Sequence, residues 1–211
     1  MDQSCVHVSA PKLIPSRACI TKSTPSLIDE RFDHDSCGVG FVASIQADST
    51  HTILKQALTA LGRLAHRGAT AADGKSSDGV GILAGIPRAL LLRETGISLA
   101  PEAELGVGML FIPQEETRAE GMLERCLKAQ DLAVLGWRDV PVETEYLGEM
   151  ALSTMPKIRQ VLVGETEGAE QGTMERRLYL ARKQFERSQE RGDVSGYVCS
   201  LSTQTIVYKA M

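Results

Sequence analysis

The sequence predicts an α+β domain, one body of layered sheets and helices, and three observations carry that expectation. Segments of strand and helix periodicity follow one another in mixed order, without a regular strand–helix repeat. The last two apolar segments both read as strands, which argues against a purely alternating, doubly wound sheet. With 211 residues and 43% apolar side chains, the chain can bury one sizeable core.

The elements follow in order. Gly38 to Ile45 is an apolar, glycine-spaced run behind the polar Asp35-Ser36, and it reads as a buried strand. Ser49-Thr50 then stands as a cap before Ile53, Leu54, Ala57, Leu58, Leu61, Leu64 and Ala65, the spacing of one helix face. That helix is expected to end at His66-Arg67-Gly68, with Gly68 in the left-handed terminal position. Arg67 there has two readings, a solvated arginine complementing the helix dipole or a functional cation.

Ala69 to Ser77 is small and polar, and Asp78-Gly79 turns into a second glycine-spaced strand, Val80 to Ile86. Gly79, Gly81 and Gly85 miss the dinucleotide-binding spacing, and no helix opens after them. The two glycine-spaced strands are expected to pair closely, or to line one pocket, in the same sheet. Pro87 opens a short helix through Leu91, and Leu105 to Ile112 is a third strand. Thr117 to Glu120 has the form of a capping box, opening a helix with Met122, Leu123, Cys126, Leu127 and Leu132 on its apolar face and an end near Gly136.

Trp137 to Val142 reads as a strand running to an edge at Pro141, Leu147 to Thr154 as a short helix, and Pro156 to Val163 as a strand. Thr173 to Arg191 is a long helix with Met174, Leu178, Ala181 and Phe185 inward and Gly192 as its stop. Its Glu175, Arg176, Arg177, Arg182, Lys183, Glu186 and Arg187 read as a solvated face. Tyr197 to Leu201 and Thr205 to Lys209 read as a hairpin around Ser202-Thr203-Gln204.

Composition excludes several functions. A formal net charge of -4, a pI near 5.6 and only four Phe, four Tyr and one Trp supply neither a basic face nor stacking groups for nucleic acid. No run approaches a membrane span. The five cysteines, Cys5, Cys19, Cys37, Cys126 and Cys199, form no Cys-x-x-Cys pair, and the four histidines do not cluster. The expectation is a reduced, cytoplasmic protein without metal. The first 36 residues lack a secretory apolar core and are rich in Pro, Ser and Thr, which suits either a disordered tail or a removable leader.

The chemistry concentrates at Cys37. A free cysteine is most often a small buried hydrophobe, but here a polar turn delivers it into Gly38-Val-Gly-Phe41, where two glycines leave room for a ligand or a neighbouring strand. Were the chain cut between Ser36 and Cys37, thiol and α-amino group would sit on one residue, nucleophile beside proton acceptor. That is the design of an N-terminal-nucleophile hydrolase.

Five segments then resemble a known family in the same order: Cys37-Gly-Val-Gly-Phe41; Ala57-Leu-Thr-Ala-Leu61 running into His66-Arg-Gly-Ala69; Ser77-Asp-Gly-Val-Gly-Ile-Leu83; Gly136-Trp-Arg-Asp-Val-Pro-Val142; and Tyr197-Val-Cys-Ser-Leu-Ser202 with Thr205-Ile-Val-Tyr-Lys209. Over about residues 30 to 211 the chain resembles the amino-terminal glutamine amidotransferase domain of the glutamate synthase large subunit. The resemblance implies a class II amidotransferase with the Ntn-hydrolase αββα four-layer sandwich, residues 1–36 as the leader and 37–211 as the front part of the domain. It makes Cys37 the catalytic nucleophile, hydrolysing glutamine to glutamate and ammonia, and places Arg67, Gly68, Asp78 and Gly79 at the substrate. The α-amino group titrates near 7.7–8.0 and a free thiol near 8.5, so one can take the other's proton about neutral pH.

The resemblance also implies, for the complete enzyme, a synthase domain holding FMN and an iron–sulfur cluster, where ammonia aminates 2-oxoglutarate; this chain itself is expected to bind no cofactor. The family's Ser-Arg-Phe-Ser-Thr segment, which grips the glutamine α-carboxylate, and its Asn-Gly oxyanion motif do not occur in the sequence. The sandwich is therefore expected to be incomplete on its C-terminal side, and the chain to work with the remainder of the synthase in cis or as another polypeptide. A non-catalytic half-domain assembling with a separate chain is the alternative, and a self-processing peptidase on the same fold a third.

Overall fold

The computed structural model describes residues 38–46, 50–77, 79–166 and 173–210. Two sheets form. The larger has strand order β3-β4-β2-β5, all antiparallel, from β2 (Gly106–Ile112), β3 (Leu132–Asp139), β4 (Lys157–Glu165) and β5 (Tyr197–Ser202). The smaller is an antiparallel ribbon of β1 (Val80–Gly85) and β6 (Thr205–Ala210). Helices α1 (His51–Gly62), α2 (Arg88–Thr95), α3 (Ala119–Lys128), α4 (Glu149–Thr154) and α5 (Met174–Glu190) complete the α+β architecture. Among the described residues no helix is long and apolar enough to cross a membrane.

The side-chain alternation of β2 explains the layering. Leu110 and Ile112 point to one face and join Leu123 and Leu127 of α3 and Leu178, Ala181 and Phe185 of α5 in one core. Val107 and Met109 point to the other and join Leu162, Cys199, Leu91 of α2 and Ile206 of β6 in a second. Gly106 stands on the helix face, where an added Cβ would lie 2.9 Å from Leu178 and 3.0 Å from Met174. Its bareness lets α5 settle onto the sheet.

One buried polar relay joins the two sheets. Gln160 on β4 has no exposed surface; its Oε1 accepts from Arg138 Nη1 at 2.9 Å and its Nε2 donates to the Tyr208 hydroxyl on β6 at 3.1 Å. The Trp137-Arg138-Asp139 segment is thus architectural throughout. Trp137 donates to Glu124 of α3 at 2.7 Å, and Asp139 pairs with Arg159, whose guanidinium also meets Glu120 and lies over the Trp137 ring.

Several expectations are corrected. Residues 38–46 form no strand; they run as coil with Val39, Phe41 and Ile45 at least 90% exposed, because β1 takes β6 rather than this segment as its partner. The expected hairpin is not one: β5 pairs with β2 and β6 with β1, so the chain changes sheets at Ser202–Gln204. Glu175 on the first turn of α5 seizes that corner, accepting from Thr203 N at 2.6 Å and Thr203 Oγ1 at 2.9 Å. Side-chain chemistry at a distant helix end redirects what local patterning reads as a turn.

Helix α3 ends at Lys128, and Asp131 at φ 53° turns the chain into β3, so Leu132 and Gly136 are strand residues. The Thr117 cap also differs, since Arg118 occupies the cap position without a side-chain cap bond. Likewise Thr50 caps α1 by backbone alone, and Pro87 sits one place before α2. On α5, Thr173 caps as expected, but Arg177 is not solvated: it is 9% exposed, donates to Asp131 O at 3.2 Å and pairs with Glu165.

Candidate active site

The site is built around the loop between α1 and β1. After α1 the chain makes a 3-10 turn, Ala65–Arg67, with Arg67 N donating to Leu64 O at 2.8 Å and Gly68 N to Ala65 O at 3.3 Å. Gly68 is extended, at φ -98°, so the left-handed helix end expected there is not formed. The 3-10 turn absorbs the reversal instead. Arg67 and Gly68 are exposed, and so is Gly79, which directly precedes β1.

An antiparallel bridge between Thr70 and Ser77 closes the loop at its neck. Gly68 stands two residues before the bridge and Gly79 two after it, which brings these two predicted substrate positions to the same mouth. Gly38 approaches from a third direction: an added Cβ there would lie 3.2 Å from both terminal methyls of Leu64. The backbone that follows the predicted nucleophile therefore rests on the residue that starts the His66-Arg67-Gly68 turn. Cys37 and Asp78 themselves lie outside the described residues, as does the leader.

Inside the loop, Asp73 organises the backbone. Its Oδ1 accepts from Lys75 N at 3.0 Å and Ser76 N at 2.8 Å, and its Oδ2 from Ser76 Oγ at 2.5 Å. Ala71 N closes the turn on Ser76 O at 2.7 Å, with Gly74 at φ 69°. The Ser76 hydroxyl, then the amides of Lys75 and Ser76, hold the Asp73 carboxyl down at about 2 against an ordinary 3.8. A depressed carboxylate stabilises the fold above its unfolded value, and that contribution disappears as pH falls through about 2. In urea denaturation, the gap in unfolding free energy between the wild type and Asp73→Asn should be full at pH 5 and narrow steadily toward pH 2; a gap independent of pH would refute this account.

The other described cysteines are no rivals for the nucleophile. Cys126 and Cys199 are buried in different cores, and burial raises both thiols above their ordinary range. Two open clefts lie between α3 and the end of α5, lined chiefly by Arg118, Arg125, Arg187 and Arg191, and include none of the loop residues. Residue patterns point to Arg67, Gly68 and Gly79 but not to Asp73 or Ser76. The one available signal was Asp73-Gly74, a turn dipeptide.

Comparison with known proteins shows the family. A family model described as class II glutamine amidotransferases matches residues 37–211, and the chain belongs to that family. Within it, the similar proteins are glutamate synthases. The ferredoxin-dependent glutamate synthase 2 of Synechocystis is 42% identical over 89% of this chain and 12% of its own length. The ferredoxin-dependent glutamate synthase 1 of Arabidopsis thaliana is 37% identical over 100% of this chain and 14% of its own. The NADPH glutamate synthase large chain of Bacillus subtilis is 38% identical over 85% and 12%. This chain thus spans only about an eighth of the relatives it matches.

Proposed function

We propose that the chain supplies the glutaminase part of a glutamate synthase. In this reading removal of residues 1–36 frees the Cys37 α-amino group, which takes the thiol proton. The thiolate attacks the side-chain carbonyl carbon of glutamine, the C–N bond breaks, and the proton returns to the departing nitrogen as ammonia leaves. Water then cleaves the γ-glutamyl thioester to glutamate, and the ammonia goes to the amination of 2-oxoglutarate. The observation that carries the reading is the family match beginning at the cysteine itself, residue 37. The approach of Gly38 to Leu64, the residue that starts the turn to Arg67 and Gly68, supports it. Arg67, exposed on that turn, is the cation assigned to the substrate there, and Asp78, outside the described residues, is assigned to the same pocket.

The four-layer αββα sandwich belongs to the proposal. Helices α3 and α5, the large sheet and the ribbon supply three layers, and α1, which lies against β1 without burying a residue, supplies the fourth once further polypeptide covers it. Phe41, Ile45 and Leu83, all exposed, mark the surface where that polypeptide packs. The partner is the rest of the synthase, in the same chain or another.

FMN and the iron–sulfur cluster are assigned to that remainder. Ferredoxin-dependent and NADPH relatives both match this chain, so its part is common to either electron donor. A thiol nucleophile suits a reducing compartment, here the cytoplasm.

The test is a chimaera in which this chain replaces the matched part of the Synechocystis relative. Glutamine-dependent ammonia release and labelling of Cys37 by a glutamine-analogue electrophile are expected. A folded chimaera showing neither would favour the non-catalytic half-domain.

A further inference from the structure

The loop that separates the predicted substrate positions is fastened to a distant part of the chain. Residues 140–156 connect β3 to β4, passing through a 3-10 turn at Thr144–Tyr146 and then α4. At the start of α4, Ala151 N donates to Ser76 Oγ at 3.3 Å, and Met150 N approaches Asp73 Oδ2 at 3.5 Å. Asp73 and Ser76 so occupy the amides that α4 leaves free, 75 and 77 residues away in sequence. Gly148 makes the approach possible. An added Cβ there would stand 2.6 Å from Ser76 N and closer still to Asp73 Oδ2 and Ser76 Oγ. No side chain other than hydrogen fits between crossover and loop.

We propose that Asp73, Ser76 and Gly148 form a latch that positions the glutamine-binding mouth, by tying the 70–77 loop to the crossover between β3 and β4. The inference rests on the amidotransferase reading given above. Its physical basis is the connectivity. The loop's two ends lead to Arg67-Gly68 on one side and to Gly79 on the other, so any displacement of the loop moves both walls of the mouth together. The loop is exposed apart from Ser76 at 8% and a half-buried Ala71, so apolar packing does little to hold it. The crossover, by contrast, begins and ends on adjacent strands of the large sheet. The latch carries the rigidity of that sheet to a loop without a core of its own. These three are positioning residues: none needs to touch glutamine.

The experiment uses Asp73→Asn, Ser76→Ala and Gly148→Ala, with Lys75→Ala as a control, since only the Lys75 backbone takes part. Deuterium uptake is measured on the chain itself, and KM and kcat for glutamine on the chimaera. Each latch variant should speed exchange in peptides covering 69–77 while leaving those of β2 and β4 unchanged. KM should rise about tenfold or more with kcat changed less than about threefold, because a misplaced binding wall costs affinity before chemistry. Lys75→Ala should leave both within about twofold of the wild type, as an exposed substitution does.

Unchanged exchange at 69–77 in all three variants would overturn the latch. Faster exchange there with an unchanged KM would overturn its positioning role. A wild-type chimaera without glutaminase activity would instead sink the amidotransferase reading, and with it the link to glutamine. The exchange data would still report whether the loop is held.

Discussion

Cys37→Ala is expected to abolish glutamine-dependent glutamate formation in the chimaera while leaving formation from added ammonia within about twofold. The first loss should be at least about 10³-fold, since removing a nucleophile leaves only the catalysis that binding and charge stabilisation provide. Ammonia supplied from solution bypasses Cys37, so the second activity reports that the rest of the enzyme is intact. Cys37→Ser should fall nearly as far, because a hydroxyl gives up its proton far less readily than a thiol titrating near 8.5. Retention of more than a tenth of the glutamine-dependent activity in Cys37→Ala would remove Cys37 from the mechanism. Cys126 and Cys199 are poor substitutes, buried and with raised thiols. The two activities together therefore separate a lost nucleophile from a lost fold.

The largest expected effect on stability is at Phe185. Its ring has no exposed surface and sits in the core that joins α3, α5 and the large sheet, beside Ala119, Leu123 and Val198. Phe185→Ala should cost about 3–5 kcal/mol, the transfer loss plus the cavity that rigid neighbours cannot fill. A domain of this size holds only about 5–15 kcal/mol in all, so the variant should be close to unfolding at 37 °C. Urea denaturation followed by fluorescence of Trp137, the single tryptophan, reads the change directly. That ring lies between the Arg159 guanidinium and Glu124 of α3, at the sheet–helix boundary that Phe185 supports. A cost below about 1 kcal/mol would mean that α5 is not docked as described.

Most of the helices and strands were legible in the residues. Met174, Leu178, Ala181 and Phe185 fall on one helical face whatever the fold around them, and Thr173 and Gly192 mark its ends by local chemistry. The apolar run from Leu105 to Ile112 likewise needs no partner to be read as a strand. The misreadings have one character. Leu132 reads as a helix residue because its apolar spacing continues that of α3, and only the turn at Asp131 breaks the register.

The site divides in the same way. Arg67, Gly68, Gly79 and Cys37 stand in short segments whose residue types suggest chemistry on their own. Asp73 and Ser76 look like ordinary loop residues until Met150 and Ala151 are placed opposite them, and Gly148 looks like any turn glycine until a loop fills the space where its side chain would be. The periodicity, the caps and the candidate nucleophile are properties of neighbouring residues, so the chain carries them openly. The partner of β6, the coil at 38–46 and the fastening of the 70–77 loop depend on contacts between residues up to 130 apart, as between Val80 and Ala210. Such pairings are settled by which buried surfaces and hydrogen-bonding groups find each other in three dimensions.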